Sequence, residues 1–127
     1  MTLDSFTGLE LWRQTMYEIV RRNDNASDLS TRQTAVLLSV YLTPEPHTVR
    51  ALSAELNISK PAVSRAIDKL SVLGLIRRQT DENDRRSVNL FRTVEGARYV
   101  SMLGDVIAQK AKTVKNPLNG GIWESSF

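Results

Sequence analysis

The chain has 127 residues, 41% of them hydrophobic and 24% charged, the proportions of one soluble globular domain. It has no cysteine, which excludes disulfides, thiolate metal sites and cysteine nucleophiles, and its one histidine, His47, leaves imidazole-based relays and metal sites unsupported. The net charge of +3 is unevenly spread, with −2 over residues 1–47, +4 over 48–98 and +1 over 99–127; a basic centre suggests either a polyanion-binding surface or a solvated basic face.

In chain order, Leu9, Trp12, Met16, Ile19 and Val20 share one helical face and predict a helix over about 5–22. Asn23 to Asp28 is a polar break. Ser30 with Gln33 reads as a capping box, and the run from Ala35 to Leu42 is apolar nearly all round, as in a central buried helix. Thr43-Pro44-Glu45-Pro46 stops it. Val49, Leu52 and Leu56 form a short stripe with Thr48 as N-cap. Asn57-Ile58 makes a corner, and Ser59 caps a further helix whose inner face is Val63, Ala66, Ile67 and Leu70 and whose end is Gly74.

The period then changes. Residues 75–80 and 87–92 predict two strands around the polar tip 81–86, a hairpin. Thr93 caps a last helix over about 94–110, with Val100, Leu103 and Ile107 as its stripe, and 111–127 reads as an irregular tail. His47, between Pro46 and Thr48, fits a surface or capping role. No run reaches the ~18 apolar residues of a membrane span. The first five residues lack the pattern of a signal peptide, and the missing cysteines fit a reducing, cytoplasmic compartment.

Two short helices joined by a tight corner and followed by a hairpin give the order of a winged helix-turn-helix. The expected architecture is mainly α, with about five helices and a small β-hairpin wing. At 100° per residue, Pro61, Arg65, Asp68 and Lys69 point away from the core and Ser64 lies at the edge of that face. One helix fits the major groove, where arginine can bond two acceptors of guanine. An arginine of Asp84-Arg85-Arg86 can enter the narrow minor groove, if Asp84 pairs with it.

The run Ala51 to Leu70, then Gly74-Leu75-Ile76, Asp84-Arg85-Arg86-Ser87 and Thr93-Val94-Glu95-Gly96, resembles the MarR family of bacterial regulators over residues 30–108. The resemblance implies a homodimer that binds inverted-repeat operators in double-stranded DNA, usually as a repressor. It places Ser59, Lys60, Ala62, Ser64 and Arg65 on the DNA-facing side of the recognition helix. It makes Arg86 the minor-groove arginine with Asp84 as its buttress, and Arg77, Arg78 and Arg85 phosphate contacts. Thr48 and Arg50 would meet phosphate at a helix N-terminus. A small aromatic effector would sit near Trp12, Met16 and Tyr17, residues that also suit core or dimer packing.

The family's long terminal helix has no counterpart here, since the chain runs from Lys110 to Phe127 through Pro117 and Gly120-Gly121. Dimerisation then falls to helices 5–22 and 94–110, with Trp123 and Phe127 as tail anchors. No phosphate-binding glycine loop, metal-ligand pair or nucleophile elbow appears, so neither enzyme activity nor a cofactor is expected. The alternative to DNA binding is a winged-helix module that meets another protein.

Overall fold

Side-chain caps mark where the helices begin. In the computed structural model, which describes residues 3–22, 28–84 and 86–118, α1 covers Ser5–Arg22, α2 Thr31–Leu42, α3 Val49–Leu56, α4 Lys60–Val72 and α5 Val94–Ala111. Ser30 and Gln33 form the expected reciprocal box at α2, at 3.1 and 2.9 Å. Thr48 accepts from the Ala51 N–H at 3.0 Å, Ser59 from Ala62 at 3.2 Å and Thr93 from Gly96 at 2.9 Å. Each satisfies an N–H that its helix leaves unpaired. The chain forms two compact units, one of residues 1–27 and 102–127, the other of 28–101. Among the described residues no helix is long and apolar enough to cross a membrane.

In unit 28–101, α2 turns Val36, Leu37 and Val40 inward, and α3 contributes Leu52. The inner face of α4 is the expected one, with Val63, Ala66, Ile67 and Leu70 all buried. Only part of the apolar surface of α2 is covered: Leu42 is 70% exposed. Asn57 takes the left-handed conformation (φ 53°) at the corner between α3 and α4, where Ser53 Oγ donates to the Ile58 carbonyl at 2.6 Å. Gly74 (φ 75°) ends α4. Its N–H bonds the Ser71 carbonyl at 3.0 Å and the next N–H, of Leu75, bonds that of Leu70 at 2.9 Å, the double closure that favours glycine here.

Strand β1 (Ile76–Thr80) pairs antiparallel with β2 (Val88–Arg92), Ile76 opposite Arg92 and Thr80 opposite Val88. Thr48 bridges Asn89, and the Leu90 N–H reaches the His47 carbonyl at 2.9 Å, so β2 is held on both sides.

His47 is not at the surface. It is 6% exposed, and its Nε2 donates to the Thr43 carbonyl at 3.1 Å. Arg92 donates to the same carbonyl and to that of Val40, so both side chains cap the end of α2. Proline after a helix signals the stop but not which side chains satisfy the freed carbonyls.

A polar knot fastens α2 to the start of α5. Tyr41 Oη donates to the Leu75 carbonyl at 2.6 Å and accepts from the Thr93 N–H at 3.0 Å. Thr93 Oγ1 donates to the Gly74 carbonyl at 2.6 Å. A Cβ at Gly96 would lie 1.8 Å from Tyr41 Oη and 2.1 Å from the Leu75 carbonyl oxygen. The spacing Thr-x-x-Gly is thus a cap plus the one residue small enough to lie beneath a tyrosine hydroxyl.

In the other unit, Asp4 accepts from the Thr7 N–H at 2.8 Å at the start of α1. That bond holds the Asp4 carboxyl below the usual aspartate range. The predicted stripe, read as core or dimer packing, is largely outside the core: Leu9, Trp12 and Val20 are 60%, 56% and 65% exposed, and only Ile19 of the five is buried. The inward face is Thr7, Thr15 and Ile19, with the Thr15 hydroxyl donating to the Leu11 carbonyl at 2.8 Å. A threonine that satisfies its own hydroxyl can face inward, which an apolar count does not register. On α5, Leu103 and Val106 are buried and Ile107 is 41% exposed, one position away from the expected stripe. The break at 23–27 and the tail from 119, with Trp123 and Phe127, lie outside the described residues.

Candidate nucleic-acid interface

The outward face of α4 is built by its own amphipathic spacing. With Val63, Ala66 and Ile67 fixed inside, Lys60, Pro61, Arg65, Asp68 and Lys69 are exposed and Ser64 is half-buried. Ser59 is exposed as the N-cap, and Pro61 sits in the first turn, where its missing N–H costs nothing. Lys60, Arg65 and Lys69 have no ion-pair partner among the described residues, so three cations lie open along one helix. Ala62 leaves the expected set. It is 7% exposed, because its position at the start of the helix turns the methyl toward the core rather than outward.

The hairpin tip is a chain of local bonds around acidic side chains. Asp84 accepts from the Arg86 N–H at 3.1 Å and from the Ser87 hydroxyl at 3.2 Å, and Asp81 accepts from the Asn83 N–H at 2.8 Å. Arg86 Nε lies 3.8 Å from Asp84 Oδ1, and the arginine side chain is 94% exposed. The expected pairing of Asp84 with Arg86 is present, and the guanidinium projects freely. Arg85 lies outside the described residues.

The two strand arginines part company. Arg77 lies opposite Phe91, with its guanidinium 4.8 Å from the ring centre and bonded to Gln79 at 3.1 Å. Arg78 lies opposite the buried Leu90, on the other face, and donates to the carboxylate of Asp68. Successive strand residues point to opposite sides, so these two cannot act as one patch. At the start of α3, Arg50 is exposed and Thr48 half-buried, its hydroxyl oxygen occupied as the cap. The bond from Asp68 to Arg78 has no local signature. The only hint is a lone acid on a cationic face, ten residues before an arginine across a glycine turn.

Residues 27–87 match the model of the MarR family. Over this segment, just under half of its length, the chain is similar to the MarR family. No curated protein sequence matches the chain. Solved MarR-like structures share the fold. An S. aureus MepR mutant bound to an oligodeoxyribonucleotide is 23% identical, with a TM-score of 0.64, covering 96% of this chain and 91% of that one. The transcriptional regulator Tm0710 from Thermotoga maritima is 19% identical, with a TM-score of 0.67, covering 94% and 79%. BldR from Sulfolobus solfataricus is 24% identical, with a TM-score of 0.57, covering 94% and 86%. The winged helix runs from α2 to β2, with α4 as the second helix of the α3–α4 pair and the hairpin as its wing.

Proposed function

We propose that the chain is a transcriptional regulator that binds double-stranded DNA sequence-specifically, as a homodimeric repressor on inverted-repeat operators, and performs no bond chemistry. The observation that carries this reading is the contact between Asp68 and Arg78. It brings the outward face of α4, with its unpaired Lys60, Arg65 and Lys69, against the base of a hairpin whose tip displays Arg86. Helix α4 would enter the major groove and the tip the adjacent minor groove. Phosphate neutralisation by lysine and arginine supplies affinity, and Ser64 and Arg65 supply specificity. Thr48 and Arg50, at the start of α3, suit a phosphate.

The DNA-bound MepR mutant of the same fold supports this reading. For the dimer, the support is the uncovered face of α1, where Leu9, Trp12, Tyr17 and Val20 are all more than half exposed. Trp12 and Tyr17 on that face suit a subunit contact better than an effector pocket. A shallow hollow in this unit is lined by Phe6, Leu9, Glu10, Arg13 and Pro117.

The test is selection from a randomised duplex library followed by fluorescence anisotropy at several salt concentrations. Enrichment of an inverted repeat, with half-sites ~34 Å apart, is expected. Arg86→Ala should lower the dependence of log affinity on log salt by about one unit. Flat anisotropy with every duplex points to a protein partner instead.

A further inference from the structure

Asp68 is the only acid on α4, and it lies on the face that carries Arg65 and Lys69. An unmatched carboxylate there would repel a polyanion. It is matched by Arg78, whose guanidinium it binds, with both side chains partly exposed, at 62% and 44%. An ion pair this wet adds little to folding. Its position matters more. The turn at Gly74 joins α4 to the root of the hairpin through backbone bonds, at Leu70 and Ser71. Arg78 is farther along β1 and is paired with Leu90 of β2, so a bond at Arg78 fixes the direction in which both strands leave the helix.

We propose that Asp68 is a positioning residue: by binding Arg78 it sets the angle between α4 and the wing, and so the spacing at which the chain reads two neighbouring grooves. This rests on the DNA-binding reading above. Beyond Arg78 the hairpin extends on the order of 15 Å to its tip at ~3.3 Å per strand residue. A swing of about 10° at Arg78 would move Arg86 by roughly 2–3 Å, a large part of a minor groove ~6 Å wide. Arg78 is then a strut between two reading elements rather than a phosphate contact, and Asp68 keeps it from phosphate.

The experiment uses the full chain, a duplex that the unaltered chain enriches from a randomised library, and a scrambled duplex of the same composition. Asp68→Asn and Arg78→Ala should each lower the enriched-to-scrambled affinity ratio by about tenfold. The double substitution should be no worse than either single one, because one bond is lost in all three. The reversed pair, Asp68→Arg with Arg78→Asp, should restore the ratio to within about threefold, and Arg78→Ala should leave the salt slope unchanged.

Multiplying losses in the double substitution, failure of the reversed pair, or a salt slope reduced by about one in Arg78→Ala overturns the proposal and leaves DNA binding standing. Tighter binding of both duplexes by Asp68→Asn does the same, since Asp68 would then be only a repulsive charge. An unaltered chain that enriches no duplex removes the DNA-binding reading, and this proposal with it.

Discussion

Helices α4 and α1 carry the same kind of signal and meet different fates. Both space apolar residues at helical intervals between polar ones. In α4 the predicted face is the buried one, from Val63 to Leu70. In α1 the predicted face carries Leu9, Trp12 and Val20 in the open, while Thr7 and Thr15 are inside. An apolar stripe states that a face is to be covered; it does not state by what. Helix α4 has α2, α3 and β1 of its own unit to cover it. The exposed face of α1 has no such cover among the described residues, which is the property expected of a surface completed by another chain.

This contrast can be tested at four strengths. The strongest is at the knot of the winged-helix unit. Gly96→Ala places a methyl where Tyr41 Oη lies and should cost about 3 kcal/mol through overpacking and loss of the Tyr41 hydrogen bonds, read by urea unfolding. Gly104→Ala, with open space around it, should instead stabilise by about 0.5–1 kcal/mol.

Next, Arg65→Ala should weaken binding to the enriched duplex by roughly 1–3 kcal/mol and relax choice at one base position, with unfolding unchanged. Trp12→Glu changes a side chain that is 56% exposed, so stability should move by only about 0.5 kcal/mol while the mass in solution halves. A large loss of stability with unchanged mass would mean that α1 is covered from within its own chain.

The smallest effect belongs to Asp4. The Thr7 N–H depresses its carboxyl, so its contribution is fully present above the ordinary aspartate range and fades as pH falls through the lower folded value. Asp4→Ala should flatten that acid limb slightly in thermal unfolding scanned against pH.

What could be read from the sequence was local. Ser30 with Gln33, Thr48, Ser59 and Thr93 act on N–H groups of the next turn, and every helix they introduce begins at the expected cap. Each strand begins one residue later than expected, because the turn at Gly74 takes Leu75 and the tip takes Ser87. What failed needed a neighbour. Ile107 and Val106 are one step, 100°, apart on α5, and only the surroundings choose between them. For His47 the polar loop left a surface and a capping role open, and the end of α2, which needed a donor, selects capping.

At the candidate interface, the exposure of Arg65 and Lys69 was legible from periodicity, whereas the pair of Asp84 with Arg86 followed from the family resemblance, since turn chemistry alone leaves open which arginine of the tip Asp84 meets. The burial of Ala62 and the reach of Asp68 to Arg78 were not, because both depend on how α4 lies against other elements.

The outer strand of the hairpin has one more consequence. β1 bonds to β2 along one side only, and among the described residues its other side has no backbone partner. Such a margin invites a strand from another molecule. Arg77 sits within it without an acidic partner among the described residues, whereas Arg78 is matched by Asp68, so two like molecules approaching margin to margin bring one uncompensated positive charge each. Replacing Arg77 with valine would leave Ile-Val at a bare border, and the expected result is loss of protein into sheet-like aggregates, visible by light scattering.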